Sequence, residues 1–125
     1  MQQMEIEPLS KSYQSLFDMI SVAVEERITN DLNDSFAIAG NSAQFDCEVE
    51  HHVVGIVWNL NGKRIYVYSE DCVMNPAGEK KYFVTKSAHH FILHIKEISL
   101  EDGGTYTCST DTDEKSANLL VFGEC

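Results

Sequence analysis

Cys47, Trp58 and Cys108 stand 11 and then 50 residues apart, each within a short run of strand-forming residues. Two facing sheets need large apolar groups that interdigitate across a gap of about 10 Å. A tryptophan lying against two facing sulfurs fills such a gap. Immediately before Cys108 runs Asp102-Gly103-Gly104-Thr105-Tyr106-Thr107-Cys108, the pattern D-x-G-x-Y-x-C. Tyr106 lies two residues before the cysteine, so both side chains take the same side of one strand.

The rest of the chain agrees with this frame from about Ile28 onward. Short runs of strand formers alternate with turn residues. Phe36-Ala37-Ile38 leads to the turn signal Gly40-Asn41, and Ala43 to Val49 alternates small or apolar residues with polar ones. Val53 to Leu60 ends at Asn61-Gly62, a two-residue hairpin signal. Lys63 to Tyr68 returns as the next strand, and Pro76-Ala77-Gly78 marks a further turn. Tyr82 to Thr85, His90 to Ile95, Thr105 to Thr110 and Ala117 to Val121 read as further strands, the last two flanking a polar hairpin, Asp111 to Lys115. Seven or eight short strands at this spacing predict an all-β sandwich or barrel, and the Cys47, Trp58 and Cys108 frame favours the antiparallel sandwich of two sheets.

Residues 1–24 differ. Leu9, Tyr13, Leu16, Phe17, Ile20 and Val24 recur at spacings that place them on one face of a helix, with Ser10 or Ser12 as its cap. This predicts a linker or N-terminal extension over 1–24, with a short helix, ahead of one domain over 25–125. A chain of 125 residues suits one domain and not two. Met1 to Glu5 carries no basic and no apolar stretch of the kind a secretory leader starts with, so none is expected here.

The ordered set of signals resembles the I-set immunoglobulin domains. The resemblance covers nearly everything after residue 24 and is carried by Asp31-Leu32-Asn33-Asp34, Gly40 to Val49, Trp58 with Asn61-Gly62-Lys63, Leu93-His94-Ile95, and Leu100 to Cys108. It implies a signature core of Cys47, Trp58, Leu93, Asp102, Gly104, Tyr106 and Cys108. It also implies a tyrosine corner, in which the Tyr106 phenol bonds back to the backbone of the preceding turn. Within the family, the segment from Leu32 to Phe45 and the short Asp111–Lys115 hairpin resemble the intracellular modules of titin, obscurin, myomesin and myosin-binding protein C. The stretch Tyr66 to Gly78 is longer than that pattern and leaves its strand pairing open.

Charge narrows the partners. Nine Lys and Arg against 20 Asp and Glu give a net charge of −11. Nucleic acid binding depends on cations that displace condensed counterions, and an anionic membrane repels such a surface. Neither partner is expected; other proteins, neutral or basic, are. No run approaches the 18 or so apolar residues of a membrane helix.

Catalytic and cofactor chemistry finds no foothold in the pattern. Neither G-x-S-x-G nor H-E-x-x-H occurs, no C-x-x-C pair marks a zinc site, and no cofactor is expected. On the strand His90 to Ile95, Phe91, Leu93 and Ile95 take the core side. His90 and His94 then stand about 13 Å apart, too far for one ion. His89 points to the other face unless it lies beyond the strand, and the five histidines read as surface residues. The acidic residues of the Asp111–Lys115 hairpin lack the further oxygen ligands of a calcium cage.

The expected function is therefore surface recognition by a monomeric, non-catalytic module of an intracellular, filament-associated protein. Edge strands at Asp31–Ile38 and Ala117–Val121 are the expected docking elements. Asp111, Asp113, Glu114, Lys115 and Asn118 are the candidate partner residues, followed by the loop from Asp71 to Glu79. In a reducing cytosol Cys47 and Cys108 are expected as buried thiols. The rival is an extracellular adhesion or receptor domain, which predicts a Cys47–Cys108 disulfide, a possible second bridge between Cys72 and Cys125, and sugar on the Asn33-Asp34-Ser35 sequon.

Overall fold

The structure, a computed structural model, describes residues 25–69, the backbone of 73–74, and 81–123. The helix read over 1–24, the turn at Pro76 to Gly78, most of the Asp71–Glu79 loop, Cys72 and Cys125 lie outside those residues. Among the described residues nine strands form two sheets. The larger joins β1 (Ser35–Ile38), β9 (Glu114–Phe122), β8 (Gly104–Ser109), β3 (Ile56–Leu60), β4 (Lys63–Tyr68) and β5 (Val73–Met74), in that order. The smaller joins β2 (Ala43–Glu48), β7 (His90–Ile95) and β6 (Tyr82–Ser87).

Alternation decides which side chains meet between the sheets. On β2, Phe45 and Cys47 are buried; on β7, Phe91, Leu93 and Ile95; on β3, Ile56 and Trp58; on β8, Tyr106 and Cys108. Trp58 and Cys108 are register partners, both fully buried, and Phe45 stacks on Tyr106 with centroids 5.2 Å apart. Cys47, Trp58, Leu93, Tyr106 and Cys108 are thus buried in the apolar layer on which the inward positions of both sheets converge, whereas Asp102 and Gly104 lie at the turn that enters β8.

Cys47 and Cys108 are joined as a disulfide, their Cα atoms 6.5 Å apart. This corrects the expectation of two buried thiols. The cysteines sit on opposing sheets, and their Cα separation is within the range a disulfide spans. The hairpin between β3 and β4 turns on Asn61 and Gly62, both at positive φ (51° and 83°), as the Asn-Gly signal predicts. Beyond it, the register shifts between Trp58 and Asn59, so that Ile65 and Tyr66, neighbours in sequence, are both buried. Such a bulge breaks the period-two pattern that sequence reading relies on. β5 pairs with β4 through Val67 with Met74 and Tyr68 with Val73, which places part of the long Tyr66–Gly78 stretch as an added edge strand.

The tyrosine corner forms as the resemblance implies. Tyr106 donates its hydroxyl proton to the Asp102 carbonyl at 2.6 Å. The Asp102 carboxylate is buried and holds the Lys81 ammonium at 2.5 Å and the Ser99 backbone N–H at 2.7 Å. Burial, then the neighbouring Tyr82, then Asp102, push the Tyr106 phenol well above its ordinary value. Burial, then Asp102, also push Tyr82 up.

Candidate interaction surface

β1 runs parallel to β9, pairing Phe36 with Leu120 and Ile38 with Phe122. Among the described residues it has no partner on its outer side. Ala37, Ala117 and Leu119 face the core, and this parity sends Phe36, Ile38, Leu120 and Phe122 outward. Those four are 68%, 51%, 51% and 50% exposed. Phe36 and Phe122 stack with centroids 6.3 Å apart, and Leu100 projects from the turn before β8 at 63% exposure. A groove of about 560 Å³ is lined by Ser35, Phe36, Leu100, Gly103, Leu119 and Leu120, among others. An antiparallel sheet with one wet face ordinarily carries polar residues there. A contiguous apolar strip in that position is the usual mark of a docking surface.

The edge assignment needs one correction. β1 is an edge, as expected, but β9 lies between β1 and β8. Ala117–Val121 is therefore not an edge as expected, because the chain lays β1 alongside it. Asp34 secures this arrangement by accepting the Asn118 backbone N–H at 2.8 Å.

The architecture can now be set beside known proteins. Residues 26–121 match the Immunoglobulin I-set domain family. The chain belongs to that family. It is 32% identical over 100 residues to striated muscle preferentially expressed protein kinase of Danio rerio, a match covering 76% of this chain and 3% of that protein. It is 29% identical over 94 residues to cardiac-type myosin-binding protein C of Mus musculus, covering 75% of this chain and 7% of that protein. IgLON family member 5 of Homo sapiens is 23% identical over 90 residues, covering 71% and 26%. Domain I10 of titin superposes with a TM-score of 0.65 at 28% identity, over 79% of this chain and all of that domain. The chain thus spans a small part of the curated relatives it matches.

In this I-set domain the polar candidates divide by what holds them. The turn between β8 and β9 is shorter than the hairpin read from sequence: Glu114 and Lys115 already belong to β9. Asp113 is occupied, accepting the Ile28 backbone N–H at 2.9 Å and the Glu114 N–H at 2.8 Å. The Asp111 backbone N–H reaches the Glu26 carboxylate at 3.1 Å, and Thr110 Oγ1 donates to the Glu26 carbonyl at 2.5 Å. This turn therefore fastens the first described residues to the end of the sandwich. Lys115 pairs with Asp31 at 3.2 Å, and the Asn118 side chain accepts from Thr105 Oγ1 at 2.7 Å. Asp111 and Glu114 remain exposed.

The histidines are less dispersed than sequence suggested. His94 faces outward on β7, stacked on Phe83 at 4.3 Å and bonded to Thr85 at 2.8 Å, and partial burial lowers its pKa. His89 sits in the two-residue turn between β6 and β7, outside the strand alternation, and its ring lies 5.0 Å from that of His90. Along β7 alone these side chains diverge, whereas the contacts that matter run across to β2. The register of β2 with β7 was the missing information.

Proposed function

We propose that this I-set domain is a non-catalytic protein-binding and structural module of a larger, filament-associated muscle protein. The proposal assigns docking to the β1 edge and the apolar strip beside it. The exposed strip Phe36, Ile38, Leu120 and Phe122 carries the reading, because a monomeric surface gains nothing from keeping two stacked phenylalanines in water. Open backbone groups along β1 supply hydrogen bonds, and alternate side chains on the strip supply selectivity. Asp111 and Glu114, exposed at the far end of β9, offer a separate acidic patch that favours a partner with basic groups. Likeness to proteins named for striated muscle and for myosin binding supports the filament setting.

A fluorescent fusion expressed in striated muscle cells tests this reading. It should mark a periodic pattern along the filaments, and the F36S/L120S variant, folded by circular dichroism, should lose it. A diffuse wild type, or a variant with the wild-type pattern, would sink the proposal.

A second reading, an extracellular adhesion or receptor domain, is favoured by one observation: the Cys47–Cys108 bridge. Disulfides persist in oxidising compartments and are uncommon in the cytosol. The relative IgLON family member 5 and the exposed Asn33 of the sequon belong with this alternative.

A further inference from the structure

Four of the five histidines gather at one end of the domain, around the end of β2 and the β6–β7 turn. Glu48 and His90 are register partners on adjacent strands, so their side chains leave the same face of the sheet. The turn brings His89 back over β2, where its Nε2 lies 3.0 Å from Glu48 Oε2. One ligand atom from each of Glu48, His89 and His90 lies within 4.8 Å of the other two. Ligand atoms about 2.0–2.1 Å from a tetrahedral ion stand about 3.3 Å from one another, so small side-chain rotations bring the three to bonding distance.

A second observation points the same way. His90 Nδ1 lies 3.0 and 3.1 Å from the two carboxylate oxygens of Asp46. A carboxylate gripping one ring nitrogen fixes the tautomer and presents the lone pair of the other, Nε2, outward. Histidines that bind metals are held in this way. The backbone beneath is rigid: the Val49 N–H donates to the His89 carbonyl at 2.9 Å, and β2 and β7 are paired from end to end. The three groups are half-buried, so their charge is partly shielded from water while an ion can still enter.

We propose that Glu48, His89 and His90 form a binding site for one divalent transition-metal ion of the zinc type, with Asp46 as the positioning residue for His90. Two imidazoles and a carboxylate suit a borderline ion such as Zn²⁺, whereas calcium and magnesium take oxygen ligands. The set leaves a fourth position open. His51 and His52 line one recess together with Glu48 and His89. Glu50 is engaged by Arg27 at 3.3 Å and is not counted as a ligand. The ion would add a side-chain tie between β2 and the β6–β7 turn to the backbone hydrogen bond from the Val49 N–H to the His89 carbonyl. The proposal does not depend on which compartment or partner the domain has.

The test is titration of the full chain with Zn²⁺, with the Cys47–Cys108 disulfide left intact and any free thiol alkylated beforehand so that thiols do not compete. One saturable equivalent should bind. With free Zn²⁺ about a hundredfold above Kd, the thermal midpoint should rise by roughly 10 °C. Glu48→Gln, His89→Gln and His90→Gln should each abolish saturable binding. Asp46→Asn should weaken it about 10- to 100-fold, and His94→Gln should leave it unchanged. Should a variant fold poorly, imidazole NMR signals of the unmodified side chains report directly: His89 and His90 should shift together on adding Zn²⁺. Absence of saturable binding overturns the site, leaving two histidine–carboxylate pairs. So does binding that survives all three ligand substitutions, or shifts confined to His51, His52 or His94.

Discussion

Tyr106 shows how one side chain joins packing to polarity. Its ring fills the core beside Phe45, and its hydroxyl closes the turn by bonding to the Asp102 carbonyl. Tyr106→Phe keeps the ring and removes that bond, leaving a carbonyl short of a partner. The expected cost is about 1 kcal/mol, read by urea unfolding at neutral pH. The same substitution has a signature at high pH. Tyr82 and Tyr106 both resist ionisation in the folded state, while in the unfolded chain each titrates near 10.0. The unfolded state then loses protons first, so stability is whole below about pH 10 and drains away as pH climbs above it. Tyr106→Phe removes one of the two groups, and its midpoint should fall less steeply than wild type between about pH 9 and about pH 11. An equally steep fall would show that this buried phenol is not the source of alkaline sensitivity.

At the scale of elements, the β3–β4 hairpin and the start of β8 turn out to be one unit. Asn61 donates its backbone N–H to the Thr105 carbonyl at 2.8 Å, and its side-chain oxygen accepts the Thr105 N–H at 2.9 Å. Gly104 approaches so closely that a Cβ there would lie 2.6 Å from Asn61 Oδ1, and its φ of 152° is one few other residues adopt. Gly104→Ala should therefore cost about 1–3 kcal/mol. In an Asn61→Gly background the clash is gone and only the φ penalty stays, so the two substitutions should be non-additive in urea unfolding. Strict additivity would place the whole cost in the backbone. The Asn-Gly pair and the D-x-G-x-Y-x-C run were both legible in sequence, because each expresses local geometry. Their clamp was not, since it depends on which strands lie side by side. The same limit explains the apolar strip. Leu119-Leu120-Val121-Phe122 is apolar at both parities, so alternation cannot say which residues face in until the β1 partner is known. His89 was hidden for the related reason that a turn residue obeys no alternation at all.

For the whole molecule the open question is whether the sandwich needs its bridge. Cys47 and Cys108 are 61 residues apart, so in the chain-entropy model their link stabilises the fold by about 4 kcal/mol, a large share of what a domain this size has. Against that stands the layer around it. Phe91, Leu93, Ile95, Trp58, Tyr106 and Leu119 are all at most 1% exposed, and they occupy both sheets, so the apolar contact between layers does not run through the sulfurs alone. Two further anchors lie away from the bridge: the Lys81–Asp102 pair beneath the tyrosine corner, and the Glu26 and Asp113 contacts that close the other end. A core assembled this way should survive reduction. Unfolded in denaturant with excess reductant and then refolded under the same reductant, the protein should regain its native circular dichroism and melt in one cooperative step. The midpoint should fall by an amount consistent with a loss of up to about 4 kcal/mol. That outcome would make the domain competent in a reducing cytosol, where a filament protein works, whatever the state of its cysteines there. Failure to refold without the bridge would tie the fold to an oxidising compartment and transfer the apolar strip to a partner met outside the cell.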